Sequence, residues 1–215
     1  MRRVTFYYDL GSPFAYLAAE RLPTLIPEPT QWQPVLLGGL FKLAGRSSWA
    51  LGDHERRQAG IAEIDRRAQR YGLPPMRWPD PWPTDYLIAM RAATYAFTIG
   101  KGREFTLQAF RTAFQHGRDM SIAANVLQAG EQAGIDRDRL TAATSDPLIK
   151  EALRRATEAA FQLGVFGVPT LAIDDELFWG DDRLQDAAAH LRRSRERSRN
   201  DQDNPVPGLE RGAPA

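Results

Sequence analysis

Cysteine does not occur among the 215 residues, which excludes a disulfide framework, a thiolate metal site and a cysteine nucleophile. Any thiol chemistry here must use a thiol supplied from outside. An excess of one charge is missing too: 28 basic side chains face 27 acidic ones, so no overall field holds nucleic acid or an anionic membrane. A small-molecule partner fits this balance. The start, MRRVTFYYDLGSPFAYL, reaches Asp9 before an apolar stretch develops, and no later apolar run is long enough to span a bilayer. Neither a secretory signal nor a membrane anchor is expected, and cytoplasmic residence is the default. His54, His116 and His190 fall in separate expected helices without metal-ligand spacing, so no metal site is expected.

What is present reads as one domain with a large insertion. Val4 to Tyr8 are β-branched and aromatic and suit a strand that leaves at Asp9-Leu10-Gly11. Ser12-Pro13 then signals a helix start, because serine caps free amides and proline is pre-set for the first helical position. Phe14, Leu17, Ala18, Leu22 and Leu25 give that helix an apolar face, and residues 32–37 read as a second strand in which Pro34 implies an edge. A β-α-β unit of this kind predicts a parallel pair with a right-handed crossover. Helices are expected from Asp53 to about Tyr71 and over 84–99, 103–116, 121–133 and 147–163, with a proline-stiffened extended connection at Trp78-Pro79-Asp80-Pro81-Trp82-Pro83. Strands return at 168–173 and 177–179, joined at Asp174-Asp175, before a closing helix from Asp181 to about Leu191. The expected division is therefore 1–43 and 161–195 for the two parts of a small α/β domain and 44–160 for an all-helical insertion. Residues 196–215 are expected to form a disordered tail, whose arginines alternate with Glu196, Asp201 and Asp203 and do not make a nucleic-acid patch.

Three segments carry a resemblance: Phe6-Tyr7-Tyr8-Asp9-Leu10-Gly11-Ser12-Pro13-Phe14-Ala15-Tyr16-Leu17, Gly164-Val165-Phe166-Gly167-Val168-Pro169-Thr170, and Phe178-Trp179-Gly180-Asp181-Asp182-Arg183-Leu184. In order and spacing they resemble the 2-hydroxychromene-2-carboxylate isomerases, a family in the DsbA-like thioredoxin-fold group and close to the kappa-class glutathione transferases. The resemblance implies a thioredoxin-like domain with a large all-helical insertion, glutathione as cofactor, and a homodimer as in many relatives. In redox relatives a C-x-x-C motif occupies the place held here by Ser12-Pro13-Phe14-Ala15, so this chain keeps the electrostatics of a helix start without disulfide chemistry.

By the same resemblance, Ser12 is the catalytic residue, donating a hydrogen bond to the glutathione sulfur; on local sequence alone it is an ordinary N-cap. Val168-Pro169 resembles the family's cis-proline element, in which backbone groups pair with a peptide-like ligand as another strand would, whereas an isolated X-Pro pair usually opens a strand in trans. Asp182 is expected to meet the γ-glutamyl ammonium, with Asp181 adding a contact, although carboxylates are common at any helix start. Where many relatives carry Gly-Asn and then lysine, this chain has Gly45-Arg46-Ser47-Ser48-Trp49 and Glu55-Arg56-Arg57. Arg46 and Arg56 are expected to take over anion binding at glutathione and at the substrate, since a guanidinium holds a carboxylate through paired hydrogen bonds; solvated surface arginine is the plain alternative. Phe14, Trp49 and Trp82 are expected to wall a flat ring substrate, or else to pack beneath the proline-rich connection.

The implied activity is isomerisation of an aromatic-derived conjugated keto or hydroxy acid, such as 2-hydroxychromene-2-carboxylate, by reversible thiolate addition, bond rotation and thiol expulsion. A kappa-like glutathione transferase would use the same Ser12 site and release a conjugate. A non-catalytic thioredoxin-fold binding or chaperone module would show no affinity for glutathione.

Overall fold

The computed structural model describes residues 3–203, with side chains to Arg197. Four strands form one mixed sheet in the order β2-β1-β3-β4: β1 (Val4–Tyr8), β2 (Thr30–Pro34), β3 (Thr170–Ile173) and β4 (Glu176–Trp179). β1 runs parallel to β2, with Phe6 opposite Trp32, and antiparallel to β3, with Tyr7 opposite Thr170. Between β1 and β2 lies α1 (Pro13–Leu25), so the opening is the expected parallel unit with a crossover helix. β2 is an edge strand, the position that tolerates Pro34.

Every residue of β1 is buried because both of its faces are covered. Phe6 and Tyr8 point to one face and enter the main core with Trp32, Tyr16 and Phe110, where Phe6 and Trp32 meet edge to face at 5.0 Å. Tyr7, one residue out of phase, joins Val35, Leu40 and Val168 in a smaller cluster on the other face. The main core continues from the sheet into the helices of the insertion, through Met90, Phe105 and Val126. Those helices are α3 (His54–Arg70), α4 (Leu87–Thr98), α5 (Gly102–Phe114), α6 (Ala123–Gln132), α7 (Arg137–Ser145) and α8 (Pro147–Gln162).

The structure differs from the expected elements at three places. The second strand ends at Pro34, not at 37: Val35 still donates to the Tyr8 carbonyl at 3.0 Å, after which the chain turns into α2 (Leu37–Leu43). α7 lies where no helix is expected, started by Asp136, whose carboxylate accepts from the Arg139 amide at 2.9 Å. The closing helix, α9 (Leu184–Asp203), runs well past Leu191, because Leu191 and Ser194 remain buried and Arg195 pairs with Glu28 at 2.7 Å. Residues 196–203 are thus helical where a tail is expected, and positions 204–215 of that tail lie outside the described residues.

Asp9 is what lets α2 begin at a Leu-Gly-Gly sequence. Its carboxylate accepts from the Gly11 amide at 2.8 Å and the Leu37 amide at 2.7 Å, tying the loop before α1 to the start of α2. Burial pushes its pKa up from 3.8 to about 6 against those two hydrogen bonds, with Asp85 adding to the rise. The folded protein keeps this proton over a pH range in which the unfolded chain has released it. The contribution is therefore fully present below pH 3.8 and lost as pH rises through about 6, amounting to about 3 kcal/mol at about 1.4 kcal/mol per unit. Urea unfolding of Asp9→Asn should lack this decline between pH 4 and 6. A difference between variant and wild type that stays constant with pH would count against it.

Candidate active site

The end of β1, the start of α1, the segment before β3 and the start of α9 converge on one open cleft of about 1080 Å³. Ser12 stands at its floor, only 4% exposed. It is the N-cap of α1: its Oγ accepts from the Ala15 amide at 3.2 Å, and Pro13 occupies the first helical position. The same Oγ lies 3.5 Å from the carbonyl oxygen of Val168, the approach that brings together two residues 156 positions apart. The Val168–Pro169 bond is cis, as are Asp80–Pro81 and Trp82–Pro83. Ser12 thus offers a hydroxyl beside the unpaired amides at a helix start, where a neighbouring anion is favoured.

One wall is aromatic. Phe14 meets Trp49 edge to face at 6.1 Å, and Trp49 meets Trp82 at 5.7 Å. Two glycines permit this packing: a Cβ on Gly60 of α3 would fall 2.1 Å from the Trp49 ring, and one on Gly11 would fall 2.6 Å from the Tyr86 ring. Both glycines line the cleft, so their missing side chains set how close the rings approach Ser12.

A second wall carries charge and adjoins the first, the Arg67 guanidinium lying 5.4 Å from the Phe14 ring. After β4, Gly180 at φ 116° turns the chain into a single 3-10 turn over Asp181–Arg183 that leads into α9. Asp182 is 58% exposed at its side chain and lines the cleft. Asp181 behaves differently from the expected ligand contact. Its carboxylate is 1% exposed and accepts from Arg67 Nη1 at 2.7 Å and the Tyr71 hydroxyl at 2.9 Å, while its carbonyl accepts from Arg21 Nη1 at 2.9 Å. Burial raises its pKa, opposed by the Tyr71 hydrogen bond and the Arg67 charge. This carboxylate serves the fold.

Among the expected site residues, Ser12, Phe14, Trp49, Trp82, Val168, Pro169, Asp181 and Asp182 share the cleft, whereas Arg46 and Arg56 do not line it. Arg46 is exposed with its guanidinium 5.0 Å from the Phe166 ring, and Arg56 is an exposed residue in the first turn of α3. The anion-binding role expected of them has no support from their placement. Sequence reasoning missed Arg67 and Tyr86. A signal for Arg67 existed, since it lies three residues after buried Ile64 and directly before buried Ala68, at the border of the apolar face of α3.

The family model of the DSBA-like thioredoxin domain matches residues 3–192. A 2-hydroxychromene-2-carboxylate isomerase from Sphingobium xenophagum is 28% identical over 197 residues, covering 88% of this chain and 98% of that protein. Human glutathione S-transferase kappa 1 is 26% identical, with 88% of this chain and 90% of that protein covered. A solved 2-hydroxychromene-2-carboxylate isomerase superposes with a TM-score of 0.81 at 23% identity, covering 92% and 98% of the two chains. The fold and the match over nearly the whole chain together place this protein in the DSBA-like thioredoxin domain family.

Proposed function

We propose that this protein is a glutathione-dependent enzyme of the isomerase and kappa-transferase type, with isomerisation of a conjugated carbonyl compound as its reaction. The observation that carries the reading is the meeting of the Ser12 hydroxyl with the Val168 carbonyl at the start of α1, in a cysteine-free member of a thiol-handling fold. Isomerase and kappa-transferase relatives over most of the chain support it. The residues present fit glutathione: a buried hydroxyl at a helix start for sulfur, backbone groups of Val168 for the peptide portion, and the exposed Asp182 carboxylate for the γ-glutamyl ammonium. Bound glutathione would supply a thiolate that adds to the conjugated carbon, allows bond rotation and is expelled again.

Each residue then has a defined task. Ser12 donates its proton toward the sulfur, holding negative charge there at neutral pH, with the dipole of α1 acting in the same sense. Val168 and Pro169 position the peptide portion. Phe14, Trp49 and Trp82 hold the flat substrate against the sulfur and keep water from it.

Calorimetric titration with glutathione tests the reading, and absence of binding at millimolar ligand would overturn it. Asp182→Ala should weaken that binding about tenfold, the lower end for a charge-assisted hydrogen bond at a half-exposed group, about 1.5 kcal/mol. Glutathione lacking its α-amino group should bind wild type and variant alike. Equal weakening for both ligands would show that Asp182 acts through folding.

A further inference from the structure

The side chains around the cleft are unbalanced in charge. Five carboxylates line it, from Asp9, Glu63, Asp85, Asp181 and Asp182, against two guanidinium groups, from Arg67 and Arg183. Both cations are already matched by acids. Arg67 has Glu63 at 2.8 Å, Asp181 at 2.7 Å and Asp182 at 3.5 Å, and Arg183 has Asp186 at 2.5 Å. Among the described residues no other lysine or arginine lines the cavity. Of the helix starts that line it, those at Ser12 and at the turn after Gly180 are taken by the sulfur and the γ-glutamyl end in the proposed function, and those of α2 and α4 already hold carboxylates of the chain, Asp9 on the Leu37 amide at 2.7 Å and Asp85 on the Leu87 amide at 2.8 Å. A second ligand with a carboxylate would therefore lose its hydration, find no unmatched cation, and face a thiolate of its own sign. The remaining surface is apolar, built by Phe14, Leu51, Trp49, Trp82 and Leu87.

We infer that the second substrate is an uncharged, flat, apolar carbonyl compound, and that this cleft discriminates against the carboxylic acids on which its isomerase relatives are named. The inference rests on the proposed function, because the thiolate and the glutathione-filled helix starts are part of the charge balance. It assigns specificity to the lack of a cation in the aromatic wall.

Two saturated ketones without the conjugated double bond that the proposed addition needs separate the possibilities by binding: 4-phenylbutan-2-one and 4-phenyl-2-oxobutanoate, which differ by a methyl group against a carboxylate, with S-methylglutathione in place of glutathione as the control against addition of the thiol to the carbonyl. Their dissociation constants are read from tryptophan fluorescence of the full chain, with and without saturating glutathione, alongside the glutathione calorimetry. The neutral ketone should bind at least tenfold more tightly, and the gap should widen when glutathione is present. Leu51→Lys, which places a cation on the cleft lip where Leu51 is 71% exposed, should narrow the ratio several-fold. Equal or tighter binding of the acid, with glutathione binding intact, would overturn the inference and leave the proposed function standing. Glutathione binding with no response to either ketone would overturn it as well. Failure of glutathione to bind would overturn the proposed function and this inference together.

Discussion

Ser12→Ala is expected to lower kcat by about 10²- to 10³-fold while glutathione affinity stays nearly unchanged, because removing one preorganised donor to an anion is worth about 2.7–4 kcal/mol. The hydroxyl has two structural partners, the Ala15 amide at 3.2 Å and the Val168 carbonyl at 3.5 Å. In the proposed function the tripeptide is held by the Val168 backbone and Asp182, which the substitution leaves in place. The loss should therefore fall on thiolate stabilisation, so the pKa of bound thiol rises and part of the rate returns at alkaline pH. A separate, smaller effect on stability of about 1 kcal/mol follows from uncapping α1. Thiolate absorbance against pH and the melting temperature of the two proteins distinguish the roles. An unchanged thiol pKa with a lowered melting temperature would reduce Ser12 to a helix cap.

The second large effect is on folding. Arg67→Ala should destabilise the protein by about 3–5 kcal/mol, since it strips a buried carboxylate of its charged partner. Asp181 is 1% exposed and Arg67 21%, so little water is at hand to replace the guanidinium. At about 2–4 °C per kcal/mol for a chain of this size, the melting temperature should fall by roughly 10 °C. Arg67→Met combined with Asp181→Leu should recover most of that loss, because removing both charges avoids leaving one buried alone. A single-variant loss under about 1 kcal/mol, the range of a surface pair, would mean that Tyr71 and Arg21 suffice to hold Asp181.

Asp181 also shows where sequence stops informing. A doubled aspartate after glycine at a helix start reads the same whether its side chains face ligand or protein. Only the burial of one and the exposure of the other tells them apart, and that depends on Arg67 and Tyr71, more than a hundred positions away. Ser12-Pro13 was legible because capping is local, and the thioredoxin-like order of elements was legible because its strands are short, β-branched and bounded by breakers. α2 was not, since Gly38-Gly39 reads as a break and its stabilising cap comes from Asp9, twenty-eight residues earlier. α7 was hidden by composition: Arg137-Asp138-Arg139-Leu140-Thr141 offers one large apolar side chain, too few to set a period. Arg46 and Arg56 were plausible by charge and position in the chain, but side-chain direction is decided by packing, which places one beside Phe166 and the other in solvent.

The ties at Asp181 make the cleft mechanically asymmetric. One residue gathers Arg21 from α1, Arg67 from α3 and Tyr71 just past the end of α3, so that flank is riveted by buried, charge-assisted bonds. Spreading it to admit a ligand would break several of them at once. The lip at the short turn Trp49–Leu51 is anchored by the ring packing of Trp49 and by the Ser48 cap on the Ala50 amide at 3.2 Å. On the proposed function, exchange of product for substrate is expected to open that lip first, and release rates should respond to changes at Trp49 and Gly60 more than to changes near Asp182.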